Sequence, residues 1–215
     1  MADQTQKMIS LLGLMRKQMN GAVADSMYYY GSRYGLNYGV SLPTVRQIAS
    51  TEERDHALAR YLYKQQVREL RLAALHIAEP EQMTIDEADF WAEGVINSEV
   101  AEEMAFALLS HTPALAAIFD KWASSGNEYL TYAALMAASR SDLAHTEKCI
   151  GACTDAVAAY PSSRIIAQGV VAVLSAAASK AENIGVIRNT IDAMSDSSTA
   201  SYIAEEMEWR LEAIQ

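Results

Sequence analysis

The residues best suited to contact a polyanion lie in the first third of the chain. Five of its eleven tyrosines fall between Tyr28 and Tyr38, and Arg33 lies among them. Tyrosine and arginine side chains contact the sugar-phosphate backbone of nucleic acids or stack on exposed bases. Aromatic residues at helical spacing also pack between helices, so both interpretations stay open. The candidate nucleic-acid-binding residues are Tyr30, Arg33, Tyr34, Arg46, Arg68 and Arg71.

The distribution of charge supports the same region. Residues 1–75 contain ten Lys and Arg against six Asp and Glu, although the whole chain has a formal net charge of −10. Arg68 and Arg71 lie three residues apart and share a helix face, which suits adjacent phosphates. Glu69 weakens their field, and a solvated surface explains them equally well. An acidic chain with a basic first third is compatible with a polyanionic partner.

Metal and nucleotide chemistry find little support. Two acid-x-x-His pairs, Glu53 with His56 and Asp142 with His145, have the spacing of di-iron carboxylate ligands. Both acids closely follow a Thr or Ser that can begin a helix, so they are better explained as partners of its positive end. Glycine-rich phosphate loops and paired-cysteine zinc patterns are absent from the sequence. We therefore expect no metal ion and no cofactor.

Length and composition predict one folded domain. The chain has 215 residues, of which 51% are hydrophobic and 20% charged, so it can bury a core without disulfides or metals. It contains no run of 18 apolar residues, and residues 1–20 do not resemble a secretory signal. Two cysteines argue against an oxidised scaffold. We expect a cytoplasmic protein that has no membrane partner.

Helical periodicity recurs along the chain, whereas alternating β-branched runs do not persist. Short breaks separate the helices, so neighbouring helices are expected to be antiparallel. Such units predict an all-α fold, an α-α superhelix (HEAT-like solenoid) of antiparallel helix pairs. The expected domain is residues 1–215, with N-terminal helices in 1–50, helix-pair repeats in 51–180 and capping helices in 181–215. The predicted pairs are 52–65 with 66–79, 84–97 with 99–110, 113–125 with 127–139, 141–159 with 162–180, and 182–194 with 197–213.

Two segments carry a family resemblance. The first is the aromatic-rich stretch from Tyr30 that continues into Gly39-Val40-x-x-Pro43-x-x-Arg46, and the second is Arg68-Glu69 followed by Ala73-Ala74-Leu75-x-Ile77. Together they resemble the AlkC/AlkD-like DNA alkylation repair proteins over residues 20–140. The resemblance implies a HEAT-like α-solenoid whose concave basic groove holds duplex DNA by its backbone. Active members of that family excise cationic alkylated purines with an Asp flanked by Trp residues.

The chain departs from that family at the expected catalytic segment. An ungapped match places Val100 where a Trp is expected and Met104 where the catalytic Asp is expected. A methionine cannot stabilise the cationic sugar that develops as the base leaves, which costs several kcal/mol of transition-state stabilisation. The Arg that the family carries near Thr131 is also missing. A shifted register would bring Glu102 or Glu103 to the acid's position.

Three functions follow as hypotheses. The first is a DNA-alkylation-repair-like protein that binds nucleic acid, duplex DNA among others, without robust glycosylase activity. The second is a protein-interaction scaffold whose acidic later repeats, residues 79–103 especially, recruit a basic partner. The third is an alkylpurine DNA glycosylase in which Glu102 or Glu103 supplies the carboxylate.

Overall fold

The computed structural model describes residues 2–212, and the side chains from residue 3 onward. Within this range the chain forms thirteen α-helices and no β-strand. Three-residue or four-residue 3₁₀ turns join several of the helices. The helices are α1 (Ala2–Arg16), α2 (Gly21–Tyr29), α3 (Leu42–Ala49), α4 (His56–Tyr63), α5 (Arg68–Ile77), α6 (Ala88–Ala92), α7 (Ser98–Ala107), α8 (Leu115–Ala123), α9 (Glu128–Ala138), α10 (Glu147–Ala159), α11 (Arg164–Ala177), α12 (Ile184–Asp192) and α13 (Ser198–Glu212).

The prediction of an all-α fold is confirmed. Four of the five predicted helix pairs pack together, namely α4 with α5, α8 with α9, α10 with α11, and α12 with α13. Short connections between the two helices of each pair bring them together in space. None of the helices in residues 2–212 has the length and apolar character that a membrane crossing requires.

The chain divides into two compact units, Met1–Thr112 and Pro113–Gln215. In the first unit α5 is the central helix, because it packs against α3, α4 and α7. In the second unit α11 has the same position and packs against α9, α10 and α13. All the candidate nucleic-acid-binding residues and both candidate glutamates belong to the first unit.

Some helix boundaries differ from the predicted ones. α4 begins at His56 rather than near residue 52, because the Asp55 carboxylate caps it and accepts the Leu58 N–H at 2.9 Å. The helix expected over 84–97 is reduced to a 3₁₀ turn and the five-residue α6. The Tyr63 hydroxyl donates to the Trp91 carbonyl at 2.8 Å, and a side chain at Gly94 would collide with the Tyr63 ring. This close contact ends the helix early.

Candidate nucleic-acid interface

The segment between α2 and α3, residues 30–41, is held on the N-terminal end of α5. The Leu36 N–H donates to the Gln66 carbonyl at 2.8 Å, and the Arg68 N–H donates to the Leu36 carbonyl at 2.9 Å. Gly39 has a φ of 67°, and a Cβ there would collide with the Asn20 carbonyl oxygen. Only glycine fits this position without strain. The segment is therefore ordered, and it links the N-terminal helices to the core of the first unit.

The Arg68-Glu69 pair fixes this segment from inside the protein. The buried Glu69 carboxylate accepts the N–H groups of Tyr38 at 3.1 Å and Val40 at 3.2 Å. The Arg68 guanidinium donates to the Val40 carbonyl at 2.8 Å and to Glu69 at 3.1 Å. Both side chains are therefore occupied by the backbone of residues 38–40 and by each other. Their role in the fold is to anchor that loop.

Arg68 is also bound to α7. Its Nε donates to Glu99 Oε2 at 2.8 Å, and a second nitrogen donates to the other oxygen of the same carboxylate. The Tyr34 hydroxyl donates to Glu99 at 2.6 Å and contacts Asn97 at 3.2 Å. Burial, and then the negative charge of Glu99, raise the pKa of Tyr34 well above its ordinary value. Arg68 is only 3% exposed, so the structure gives this candidate no free guanidinium for a phosphate.

One helical turn further along α7, Glu103 binds two residues of neighbouring helices. Arg46 donates to its two oxygens at 2.8 and 2.7 Å, and His76 Nε2 hydrogen-bonds to Oε1. Burial by itself favours the neutral acid, but the hydrogen bonds from Arg46 and His76 outweigh it and lower the pKa of Glu103 to about 2. Glu103 is therefore a buried, ionised carboxylate with both oxygens occupied. Its geometry is that of an ion-pair partner.

The other residues of the expected catalytic segment are core residues. Val100 and Met104 are fully buried, and Glu102 is half-buried on the same helix. Trp91 and Trp122 are also fully buried. The described residues therefore do not place an exposed tryptophan beside a free carboxylate on α7.

Arg71 has different partners from Arg46 and Arg68. Its Nη1 approaches the Gly94 carbonyl at 3.5 Å, and its guanidinium carbon lies 5.8 Å from the centre of the Tyr63 ring. The side chain is half-buried, and its contacts are to α4 and to the turn after α6. Carboxylates of α7 thus bind the side chains of Tyr34, Arg46 and Arg68. Arg71 instead contacts Tyr63 and Gly94.

Tyr30 and Arg33 lie on the surface at the end of α2. Tyr30 is 82% exposed, and Arg33 is exposed as well. The Arg33 guanidinium carbon lies 4.0 Å from the centre of the Tyr28 ring, and Nη1 donates to the Tyr28 carbonyl. No carboxylate among the described residues pairs with Arg33. This cluster keeps both an accessible positive charge and accessible aromatic surface.

The sequence did not reveal that Glu99 and Glu103 pair with Arg68 and Arg46, and it did not single out Tyr29. Glu99 and Glu103 lie four residues apart, so they share a helix face, and this spacing was the available signal. Tyr29, adjacent to Tyr30, is equally exposed at 81%. Nothing in the residue pattern distinguished the tyrosines that are buried in the structure from those that are exposed.

A cavity lies in the second unit. It has a volume of about 820 Å³ and is lined by α8 and α10, with Phe119 and Tyr160 among small residues and the Asp120–Lys148 ion pair at 2.6 Å. None of the candidate nucleic-acid-binding residues lines it. Among residues 2–212, no three His, Cys, Asp or Glu side chains lie close enough to hold a metal ion.

Comparisons with known proteins agree with this architecture. A family model described as DNA alkylation repair enzyme matches residues 13–159. A solved structure described as "A new family of proteins related to the HEAT-like repeat DNA glycosylases with affinity for branched DNA structures" is similar with a TM-score of 0.72. The two chains share 18% sequence identity, and the match covers 94% of each. A search of curated proteins found no match. The predicted HEAT-like repeat fold is thereby confirmed.

Proposed function

The chain belongs to the DNA alkylation repair enzyme family, and we propose that it binds DNA through the exposed side chains of Tyr30, Arg33 and Arg46 without excising a base. The proposal rests on which charged side chains of the first unit are exposed and which are paired. Arg33 is exposed and has no carboxylate partner among the described residues, whereas Glu103, the nearest substitute for a catalytic acid, is buried and fully paired.

Three further observations support DNA as the partner. The matched family acts on DNA, and the structural neighbour is described as having affinity for branched DNA structures. Between residues 4 and 51 the chain carries five Lys and Arg and a single acid, Asp25. Arg46 keeps nearly half of its side chain exposed despite its contact with Glu103. Exposed basic groups release counterions when they bind phosphates, and this release drives sequence-independent binding.

In this proposal Tyr34 and Arg68 act indirectly. They hold residues 30–41 against α5 and α7 through Glu99, and that segment carries Arg33. Arg71 supports the turn at Gly94. The direct contacts are therefore few, and we expect binding of moderate affinity that weakens with salt.

The test pairs a binding titration with an excision assay on the same DNA. At about 50 mM salt we expect a salt-sensitive complex, with a marked loss of affinity at about 200 mM. We expect no release of 7-methylguanine or 3-methyladenine from methylated DNA, because Glu103 is buried and paired and a buried methionine, Met104, stands where the catalytic Asp is expected. Release of these bases that is abolished by Glu102→Gln or by Glu103→Gln would establish the glycosylase hypothesis instead.

Arg33 provides the sharper test of the surface. We expect Arg33→Gln to weaken binding to all DNA sequences alike and to reduce the slope of log affinity against log salt by about one. Arg188→Gln in the second unit, on an exposed arginine of α12, is the matched control and should change neither quantity. An unchanged slope for Arg33→Gln would show that this arginine does not contact phosphate.

A protein scaffold is the second candidate, and exposed acids favour it. Glu81, Asp86 and Glu93 are exposed within residues 79–103, a segment that lacks Lys and Arg. They suit a basic protein partner better than a polyanion. Failure of the protein to bind duplex or branched DNA at low salt would favour this function over DNA binding.

A further inference from the structure

Helix α2 ends in a pair of aromatic rings that are largely uncovered. The helix has no buried residue, although it carries Val23, Met27, Tyr28 and Tyr29, and Tyr30 follows it directly. Tyr29 and Tyr30 are 81% and 82% exposed. Their ring centres lie 5.2 Å apart with an angle of 87° between the planes, which is an edge-to-face arrangement. Large exposed aromatic surface on an ordered element is characteristic of a binding site.

The end of α2 is structurally fixed, so the rings project from a defined point. Gly31 has a φ of 96°, its N–H donates to the Tyr28 carbonyl at 3.1 Å, and the Ser32 N–H donates to the Met27 carbonyl at 3.0 Å. These two bonds form a Schellman motif, which terminates a helix with a glycine in the left-handed region. Because the protein backbone is already ordered at this point, little backbone conformational entropy is lost when a ligand binds the rings.

The charge around the rings identifies the chemistry of the ligand. The Arg33 guanidinium lies over the ring of Tyr28, the residue that directly precedes Tyr29 and Tyr30. The surface thus combines positive charge with flat aromatic groups. A second copy of the chain that bound through this same surface would bring two Arg33 cations together, which is unfavourable. A nucleic-acid strand supplies both the negative charge and flat aromatic rings.

We propose that Tyr29 and Tyr30 stack on unpaired nucleobases, so that the protein binds DNA with unpaired bases in preference to intact duplex. In a continuous duplex each base is covered by its neighbours, and only its edges face the grooves. At a fork, bubble or junction, unpaired bases expose the flat faces that a tyrosine ring can cover. This inference rests on the proposed DNA binding and adds the ligand group and the residues that recognise it.

The experiment uses the full chain and three DNAs of equal length and charge. The first is an intact duplex, the second contains a bubble of unpaired thymines, and the third has the same bubble built from abasic sites. The abasic bubble keeps the phosphates and the open geometry but lacks the bases. We expect the protein to bind the thymine bubble about fivefold or more tighter than the other two.

Paired variants separate stacking from charge. The double variant Tyr29→Ala/Tyr30→Ala is expected to bind the thymine bubble no more tightly than the abasic bubble, whereas Tyr29→Phe/Tyr30→Phe is expected to keep the preference for the thymine bubble. Both positions are exposed, so the variants should fold, and circular dichroism checks this. A double-alanine variant that keeps the preference would overturn the stacking proposal and leave DNA binding intact, as would equal affinity of the wild type for both bubbles.

Two other outcomes overturn the inference for different reasons. If the wild type binds none of the three DNAs, the proposed DNA binding fails together with the stacking. If the wild type sediments as a dimer that the double-alanine variant dissociates, the surface belongs to a second copy of the chain. In the expected case the wild type sediments as the same species as the variant in the absence of DNA.

Discussion

Replacing Arg68 with alanine is expected to destabilise the protein by about 3–5 kcal/mol, the cost of breaking a buried ion pair from one side. The substitution removes the hydrogen bonds from this guanidinium to Glu99, Glu69 and the Val40 carbonyl. It leaves Glu69 fully buried with its negative charge facing only the N–H groups of Tyr38 and Val40. The midpoint of urea unfolding, followed by circular dichroism, measures the loss.

Two variants make this prediction specific. Arg188→Ala removes an exposed arginine and should change the unfolding free energy by less than about 0.5 kcal/mol. Arg68→Lys keeps the charge but lacks the planar fork that engages both oxygens of Glu99, so an intermediate loss is expected. If Arg68→Ala proves as stable as the wild type and loses only DNA binding, Arg68 is a ligand contact rather than an anchor of residues 38–40.

The helical repeat was predictable because it depends on features that are local in sequence. Helix length follows from the spacing of apolar residues, and Asn97 or Ser163 reveals a helix start by its side-chain chemistry. The shortened α6 was not predictable in this way. It ends where Gly94 meets the Tyr63 ring, a contact between residues 31 positions apart. Tertiary contacts of this kind do not appear in periodicity.

The candidate site also depends on tertiary contacts that the sequence does not reveal. Residue type correctly marks Arg33 and Arg68 as cations, but only the fold decides which of them is neutralised. Arg68 and Glu99 are 31 residues apart in sequence, as α5 and α7 must pack together before the pair exists. The Arg-Glu pair at 68–69 resembles a binding motif in the sequence, and in the structure it is an internal anchor. Exposure, which separates Tyr30 from Tyr34, is likewise a property of the packed protein.

Lowering the pH is expected to reduce the stability of the first unit, because Glu103 becomes protonated. Its pKa in the folded protein is about 2, against an ordinary value near 4.5. The unfolded chain therefore takes up this proton at a higher pH than the folded protein does. The stabilisation from Glu103 is fully present above about pH 4.5, and it is lost as the pH falls towards 2. A shift of this size corresponds to about 3 kcal/mol.

The comparison of wild type with Glu103→Gln measures the contribution of the Glu103 carboxylate together with its contacts to Arg46 and His76. Glutamine keeps the size of the side chain but cannot accept both hydrogen bonds from Arg46, so the variant is expected to be about 3 kcal/mol less stable at neutral pH. The difference should shrink steadily in urea unfolding series at successively lower pH, because the wild-type carboxyl is then neutral as well. Glu81→Gln, on an exposed carboxylate, should show no such trend. A wild-type advantage that stays constant down to pH 2 would contradict an ionised Glu103 and favour a packing role for this side chain.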